Sequence, residues 1–336
     1  MPVSYVVALD VGGTSMKGGL VTFAGEVTVF PGRDTGREAG PDSVVAGIRT
    51  YVAELAAAGS ATFGMAPSGV GLAVPGIVSE AVALYAANLG WRDVPVSSFV
   101  PNGIPAVLGH DVRTGGLAES VFGAGRGVAD FLFLPLGTGI AGAVVVGGEP
   151  YGGANGWGGE IGHTAVWPDG EKCACGQRGC LETYASAGAL ARRYAARIAT
   201  TPEQSVTLAE PNNAQARSQG AVTAKEVVER AATDTAAAEV LNEAIDALAI
   251  SLASYTLLLD PSMIVIGGGL GEAGAVILDP LAERLADRLS FRKPPPLRQA
   301  QLGVQAGMLG AAILGWRAAG ESSWRPDLRA TPTRSP

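Results

Sequence analysis

The sequence predicts an α/β protein built as two lobes, and three observations predict it. A strand–glycine turn–strand unit opens the chain, Y-V-V-A-L-D-V-G-G-T-S-M-K-G-G-L-V-T-F. A second such unit begins at F-L-F-L-P-L (131–136), passes through glycines and resumes as A-V-V-V (143–146). Around them, short apolar strands alternate with stretches of helical periodicity, the pattern of sheets covered by helices. The recurrence marks a duplicated architecture rather than a short repeat, and 336 residues suffice for two substantial cores.

In the first lobe the apolar run 5–9 ends at Asp10, glycines turn the chain, and β-rich sequence resumes at Leu20. Residues 43–58 have helical spacing, with Ser43 placed to cap the N-terminus. A strand at 69–74 runs into Pro75-Gly76, a shorter one at 105–108 runs into His110-Asp111, and 114–122 reads as helix. In the second lobe, strands 131–136 and 143–146 lead into a glycine-rich, aromatic loop region over 147–182. Helix is expected from 184 to about 199 and from 224 to 259, where Asp260-Pro261 stops it. The polar residues 201–222 between them have no periodicity and read as a mobile excursion. M-I-V-I then makes a buried strand into Gly267-Gly268-Gly269, the last helix falls at 303–318, and 321–336 reads as a disordered tail. The smaller lobe is placed at 1–112, completed by the helix at 303–318, and the larger at 113–302.

Composition narrows the class. Hydrophobic residues make up 47% and charged residues 16%, as in a globular chain rather than a disordered one. Mean hydropathy is +0.26, but scattered alanine and valine produce it. The most apolar run, A-L-A-I-S-L-A-S-Y-T-L-L-L at 247–259, is too short and serine-broken to span a bilayer, so no membrane partner is expected. Nor is nucleic acid, because net charge is −7 and no helix-turn-helix precedes the first strand. M-P-V-S-Y-V-V-A-L-D enters a strand without a basic targeting region, which predicts a cytoplasmic protein.

All three cysteines and one of two histidines fall within G-H-T-A-V-W-P-D-G-E-K-C-A-C-G-Q-R-G-C, as His163, Cys173, Cys175 and Cys180. Three thiolates and an imidazole close a tetrahedral zinc shell and leave no site for water, which is the structural kind. The rival, a disulfide with a spare thiol, fits poorly with an odd cysteine count and no secretory leader. Glu160 and Glu182 bracket the cluster, so a metal that fixes both would build one wall of a polar pocket.

Two glycine loops could hold phosphate. Asp10-Val11-Gly12-Gly13-Thr14 offers bare amides, a hydroxyl and a carboxylate able to reach Mg2+ through water. It lacks the Walker lysine, and a plain hairpin turn is the alternative. Gly137-Thr138-Gly139-Ile140-Ala141-Gly142 matches G-x-G-x-x-G, but a strand follows instead of a helix, so no helix N-terminus meets a pyrophosphate. Gly267-Gly268-Gly269, after a buried strand, leaves backbone open for a flat purine.

Together these pieces resemble the ROK family of sugar kinases and repressors, within the actin-like superfamily that also holds Hsp70 proteins. The resemblance spans roughly residues 5–318 and is most specific in L-G-T-G-I-A-G, G-G-E-I-G-H and C-A-C-G-Q-R-G-C-L-E, in that order. It implies two actin-like (ribonuclease H-like) lobes with a nucleotide and sugar cleft between them, and a zinc knuckle in the larger lobe. Asp10, Gly12, Gly13 and Thr14 would form the first phosphate loop and Gly137, Thr138 and Gly139 the second, with Gly267, Gly268 and Gly269 beside the adenosine. Val74-Pro75-Gly76 and Asn88-Leu89-Gly90-Trp91 match segments that line the sugar. Glu160, His163 and Glu182 match sugar-hydroxyl contacts, and Asp111 matches the catalytic base.

The activity implied is ATP- and Mg2+-dependent phosphorylation of the 6-hydroxyl of glucose or a close relative, by a homodimer or dimer of dimers. Polyphosphate stays open as donor. A repressor of the same family would need a DNA-binding domain ahead of the first strand and is disfavoured. One position departs from the family pattern, since His110-Asp111 stands where the family has Asn-Asp. A neutral imidazole offers one donor and one acceptor but is bulkier than an amide. An acceptor nitrogen facing a sugar ammonium would admit an amino sugar such as 3-amino-3-deoxyglucose (kanosamine). The alternative is a tolerated substitution in a glucose kinase.

Overall fold

The computed structural model describes residues 2–199 and 222–326, and the chain forms two compact units. Unit one comprises the chain up to Gly127, Val145–Gly158 and the chain from Val304. Unit two comprises Val128–Val144 and Gly159–Gly303.

Unit one opens with β1 (Tyr5–Val11) and β2 (Ser15–Thr22), edged by β3 (Val27–Val29) and β4 (Arg33–Asp34). Helix α1 (Pro41–Phe63) buries Val44, Ile48, Tyr51, Val52 and Leu55 along one stripe. After β5 (Gly69–Val74) comes a small sheet of β6 (Ile77–Val78), β7 (Val82–Ala86) and β8 (Trp91–Pro95), then β9 (Ala106–His110) and α2 (Asp111–Phe122). The main sheet runs β3-β2-β1-β5-β9, with β1, β5 and β9 parallel. Its register sets Asp10 beside Ala73 and Val74 beside His110. Asp10, Val74-Pro75-Gly76 and His110-Asp111 therefore leave one carboxyl edge side by side, the edge where open α/β sheets hold ligands.

The chain continues through β10 (Phe131–Pro135), the glycine turn, β11 (Ala143–Val146) and the short β12 (Glu149–Pro150). Unit two then adds α3 (Glu182–Ala185), α4 (Ala187–Ile198), α5 (Ala224–Arg230), α6 (Thr235–Leu259), β13 (Met263–Gly267), α7 (Gly268–Gly271), α8 (Ala275–Asp287) and β14 (Leu297–Gln299). Buried β13 lies parallel between β10 and β14. Val240, Leu241, Ala244, Ile245, Leu248 and Leu252 of α6 supply much of this unit's core. Finally α9 (Ala306–Ala318) packs in unit one on β1, β5 and α2. It comes so near that a Cβ on Gly71 would collide with the Ala311 carbonyl, and one on Gly310 with that of Thr114. Among the described residues no helix is long and apolar enough to cross a membrane.

Several expected boundaries move, each for a local reason. The second strand begins at Ser15, directly after the Gly12–Thr14 turn, rather than at Leu20. Helix α1 starts at Pro41, whose fixed φ suits a first helical position, and Gly40 rather than Ser43 is its cap. Helix α2 starts at Asp111, three residues earlier than expected, because the His110 side chain caps it. The long stretch 224–259 is two helices, the second capped by Asp234 accepting from Ala236 and Ala237. Ser186 likewise separates α3 from α4.

Helix α2 belongs to unit one, packed on α9, so that unit extends to Gly127 and not only to residue 112. The chain at 321–326 is ordered: Trp324 is buried, its Nε1 donates to the Phe23 carbonyl at 2.8 Å, and its ring meets Trp316 and Phe122. Residues 327–336 and nearly all of the polar excursion 201–222 lie outside the described residues.

Candidate active site

The expected residues fall into two groups, one in each unit. In unit one Asp10 is the penultimate residue of β1, opposite Lys17. Burial raises its carboxyl to a pKa of about 6, with the nearby Lys17 charge pulling the other way. Gly307 in the first turn of α9 lies against that carboxyl so closely that any Cβ would strike it. The loop after β1 is pinned from both sides. Gly12 N–H donates to the Ser15 carbonyl at 2.9 Å, Thr35 Oγ1 donates to the Gly12 carbonyl at 2.8 Å, and Thr35 N–H donates to that of Thr14 at 3.1 Å. A Cβ on Gly13 would stand 3.3 Å from Asn88 Nδ2, so Asn88 borders the first glycine loop. Gly76 has φ +92°, and a Cβ there would run into the Tyr85 carbonyl, so this turn requires glycine.

His110 and Asp111 stand at the junction of β9 and α2. Asp111 is the first residue of the helix, where the dipole favours a carboxylate, and its Oδ1 accepts from Val112 N–H at 2.7 Å. His110 is buried, 7% exposed, and its Nδ1 accepts from Arg113 N–H at 3.4 Å as the helix cap. The same Nδ1 lies 3.3 Å from Asp111 Oδ1. Burial, reinforced by the Arg113 charge, lowers the His110 pKa to about 3, so the ring is neutral. With Nδ1 accepting, the ring proton sits on Nε2. Arg113 itself was not legible as a site residue. Its Nη1 donates to the carbonyls of Gly156 at 3.0 Å and Gly158 at 3.1 Å.

In unit two the second and third glycine elements are neighbours. Leu136 N–H donates to the Gly267 carbonyl at 2.8 Å, and Gly268, at φ +73°, lies so near the Leu136 carbonyl that a side chain would not fit. Ala187 N–H, in the first turn of α4, donates to the Gly137 carbonyl at 2.8 Å. Glu182 Oε2 accepts from Ile140 N–H at 2.8 Å, and a Cβ on Gly139 would come within 2.7 Å of that oxygen. Gly269 opens on a cavity of about 740 Å³, lined by Leu241, Ile245, Leu270, Ala273 and Val276 together with Lys225, Glu229, Asn242 and Glu272. Apolar walls beside bare backbone suit a flat heterocycle. Glu160 precedes the short turn Ile161–His163, and its negative charge, after burial, helps raise the Tyr255 pKa.

His163, Cys173, Cys175 and Cys180 converge, with ligand atoms all within 4.8 Å of one another. Cys173 Sγ is 3.7 Å from His163 Nδ1, and Cys175 Sγ is 3.7 Å from Cys180 Sγ. A tetrahedron with Zn–S near 2.3 Å has edges of about 3.8 Å, so the donor set fits zinc. All three cysteines are free thiols, which removes the disulfide alternative. Without a cation, burial and the neighbouring sulfurs push the Cys180 thiol up to about 12. The knuckle is also tied down by protein: Glu171 N–H donates to Tyr184 Oη at 2.7 Å, and Arg192 and Arg193 both pair with the Glu171 carboxylate.

The ROK family profile matches residues 6–318. The chain is 33% identical over 333 residues to the glucokinase of Thermotoga maritima, covering 94% of this chain and 98% of that one. It is 32% identical over 326 residues to the glucokinase of Halalkalibacterium halodurans, covering 93% and 94%. Among solved structures, a ROK family glucokinase from Streptomyces griseus in complex with glucose and AMPPNP superposes with a TM-score of 0.75 at 30% identity, covering 94% of this chain and 100% of that one. The α/β fold is thus that of the ROK glucokinases, the actin-like architecture expected.

Proposed function

Because the chain belongs to the ROK family, we propose that it transfers the terminal phosphoryl group of Mg-ATP to the 6-hydroxyl of a hexose, glucose or a close relative. The observation that carries this reading is the register of β1, β5 and β9. It brings Asp10, the Gly76 turn and Asp111 to one sheet edge, with Asp111 at a helix N-terminus that favours its ionised form.

Phosphoryl transfer asks the protein for alignment and charge stabilisation more than for covalent chemistry. Asp111 would accept the O6 proton as the phosphorus–oxygen bond forms. Gly76, Asn88 and His110 would bind sugar hydroxyls in unit one, and Glu160, His163 and Glu182 carry the same hydrogen-bonding chemistry in unit two. Carboxylates and amides suit that task because each sugar hydroxyl both donates and accepts. The amides around Gly12, Gly13 and Thr14 and around Gly137, Thr138 and Gly139 would hold phosphate oxygens, and Gly267, Gly268 and Gly269 would border the nucleoside. A bound Mg2+ supplies charge neutralisation at the phosphates, and Asp10 fits as its water-mediated anchor. Zinc, held by His163, Cys173, Cys175 and Cys180, would be structural.

The sugar we favour is a neutral hexose. An amino sugar needs an acceptor facing its ammonium, and the acceptor nitrogen of His110 is already engaged by Arg113 N–H. The cavity at Gly269, with apolar walls beside Lys225, Glu229, Asn242 and Glu272, suits the base of a nucleotide and favours ATP as donor, with polyphosphate the alternative.

The test is ADP release with Mg-ATP across glucose, mannose, glucosamine, N-acetylated hexosamines and 3-amino-3-deoxyglucose, with polyphosphate as a second donor. Glucose-led turnover with the ester at C6 by phosphorus NMR is the expected result. Dominance of 3-amino-3-deoxyglucose would overturn the choice of sugar. No turnover with any of them would overturn the kinase reading.

A further inference from the structure

The loop 151–158 carries Tyr151 and Trp157, each 59% exposed. Solitary exposed aromatics are ordinary on protein surfaces. What sets Trp157 apart is how its backbone is held. It lies between Gly156 and Gly158, and one nitrogen, Arg113 Nη1, binds the carbonyls of both, at 3.0 and 3.1 Å. Gly158 N–H closes the loop on the Gly152 carbonyl at 2.9 Å. On its other side the loop meets β6: a Cβ on Gly156 would lie 3.6 Å from the Val78 carbonyl oxygen and 3.9 Å from Ile77 Cγ2.

Both flanks lead to the sugar residues. Arg113 stands two positions after Asp111, and Ile77 directly follows Gly76. The same Arg113 also fixes the ring of His110 through its backbone N–H. An indole presented at that place, on a backbone clamped at both neighbours, is pre-organised rather than loose.

We propose that Arg113 is a positioning residue of the sugar site, and that Trp157, which it holds, is a specificity-determining contact offering its indole face to the apolar C–H face of the hexose ring. A pyranose ring has such a face, and an aromatic π-surface, negative at its centre, attracts C–H groups that carry partial positive charge. The inference rests on the sugar-kinase reading above, and the experiment separates the two.

Tryptophan emission of the full chain is followed during glucose titration without nucleotide, in the wild type and in Trp157→Phe. Steady-state constants are then measured for both, for Trp157→Ala and for Arg113→Lys. The exposed position of Trp157 leaves the core untouched, and thermal melts verify it. Expected are a saturable emission change in the wild type that Trp157→Phe diminishes, and a rise of about 3- to 10-fold in hexose KM for Trp157→Ala, smaller for Trp157→Phe, with ATP KM steady in both. Arg113→Lys should raise hexose KM in the same sense, and the Arg113→Lys, Trp157→Ala double variant should be little worse than Trp157→Ala alone. An emission change of undiminished amplitude in Trp157→Phe, or an unchanged hexose KM in Trp157→Ala while sugar is still phosphorylated, overturns the contact alone. A wild type that phosphorylates no hexose overturns the activity, and the contact falls with it.

Discussion

Glu182 accepts the Ile140 backbone N–H at 2.8 Å, so a residue two positions beyond the zinc-ligand candidate Cys180 holds the turn that follows β10. The metal site and the second glycine loop are thereby mechanically joined within unit two. Elemental analysis should find one zinc per chain. Stripping it with a strong chelator, or replacing Cys175 by Ser, should lower activity about 10- to 100-fold, the range for lost support around a metal centre. Hexose KM and ATP KM should both rise, because the proposed function gives Glu182 to the sugar and the loop it holds to the phosphates. A fully active zinc-free protein would refute the linkage.

Asp111→Asn should reduce kcat by about 10²- to 10⁴-fold while changing hexose KM only a few-fold. The substitution removes a carboxylate from the first turn of α2, a loss of about 0.3–1 kcal/mol, so the protein should still fold. Steady-state kinetics beside a melting curve separates the two effects. A kcat within about threefold of wild type would remove Asp111 from the base role.

His110 should not titrate in the working range. Its pKa is lowered from 6.5 to about 3, so its stabilising contribution is present above pH 6.5 and is lost as pH falls from 6.5 toward 3. By pH 5 the wild type should have given up about 2 kcal/mol that His110→Asn keeps, since asparagine also caps a helix without carrying a proton. Denaturant melts at pH 7.5 and pH 5 measure this directly. The pH–rate profile should show no His110 step near 6.5.

Asp10 gives the opposite sign. Its pKa is raised from 3.8 to about 6, so its contribution to stability is complete below pH 3.8 and is lost as pH rises through 6, where folding must bury a charge. Asp10→Asn should therefore melt above the wild type at pH 7.5, by about 3 kcal/mol, and the gap should close toward pH 4. Turnover should collapse in the same variant. Equal stability at pH 7.5 would mean that the carboxylate is better solvated than its burial indicates.

The glycine turns, the strands they join and the Cys-His cluster were legible because each imposes a residue type: bare amide, alternating apolar run, metal ligand. The cluster's convergence agrees with the expectation drawn from ligand type and clustering. The small sheet β6–β8 was not legible, since Y-A-A-N-L-G-W-R reads equally well as loop and its burial is patchy. Helix α8 escaped notice because Pro280 interrupts its pattern, although a proline is tolerated where the helix can bend around it. Thr35, Gly307 and Arg113 act on the site through backbone carbonyls or sheer closeness, and neither leaves a motif. His110 stood out in the sequence as a departure, but its burial and its use as a helix cap are properties of the fold around it.

Helix α9 has a consequence for synthesis. It completes the packing of β1, β5 and α2, yet it is made almost 200 residues after α2. Until residue 318 emerges from the ribosome, the sheet that carries Asp10 and leads into Asp111 lacks the helix that packs on it, including at Gly71, which the Ala311 carbonyl and Gly315 will meet. Unit two, nearly continuous in the chain from 128 to 303, meets no such delay. Domains made first usually fold first; in this chain the half begun first waits longest, and chaperones that hold exposed strands have their natural window there.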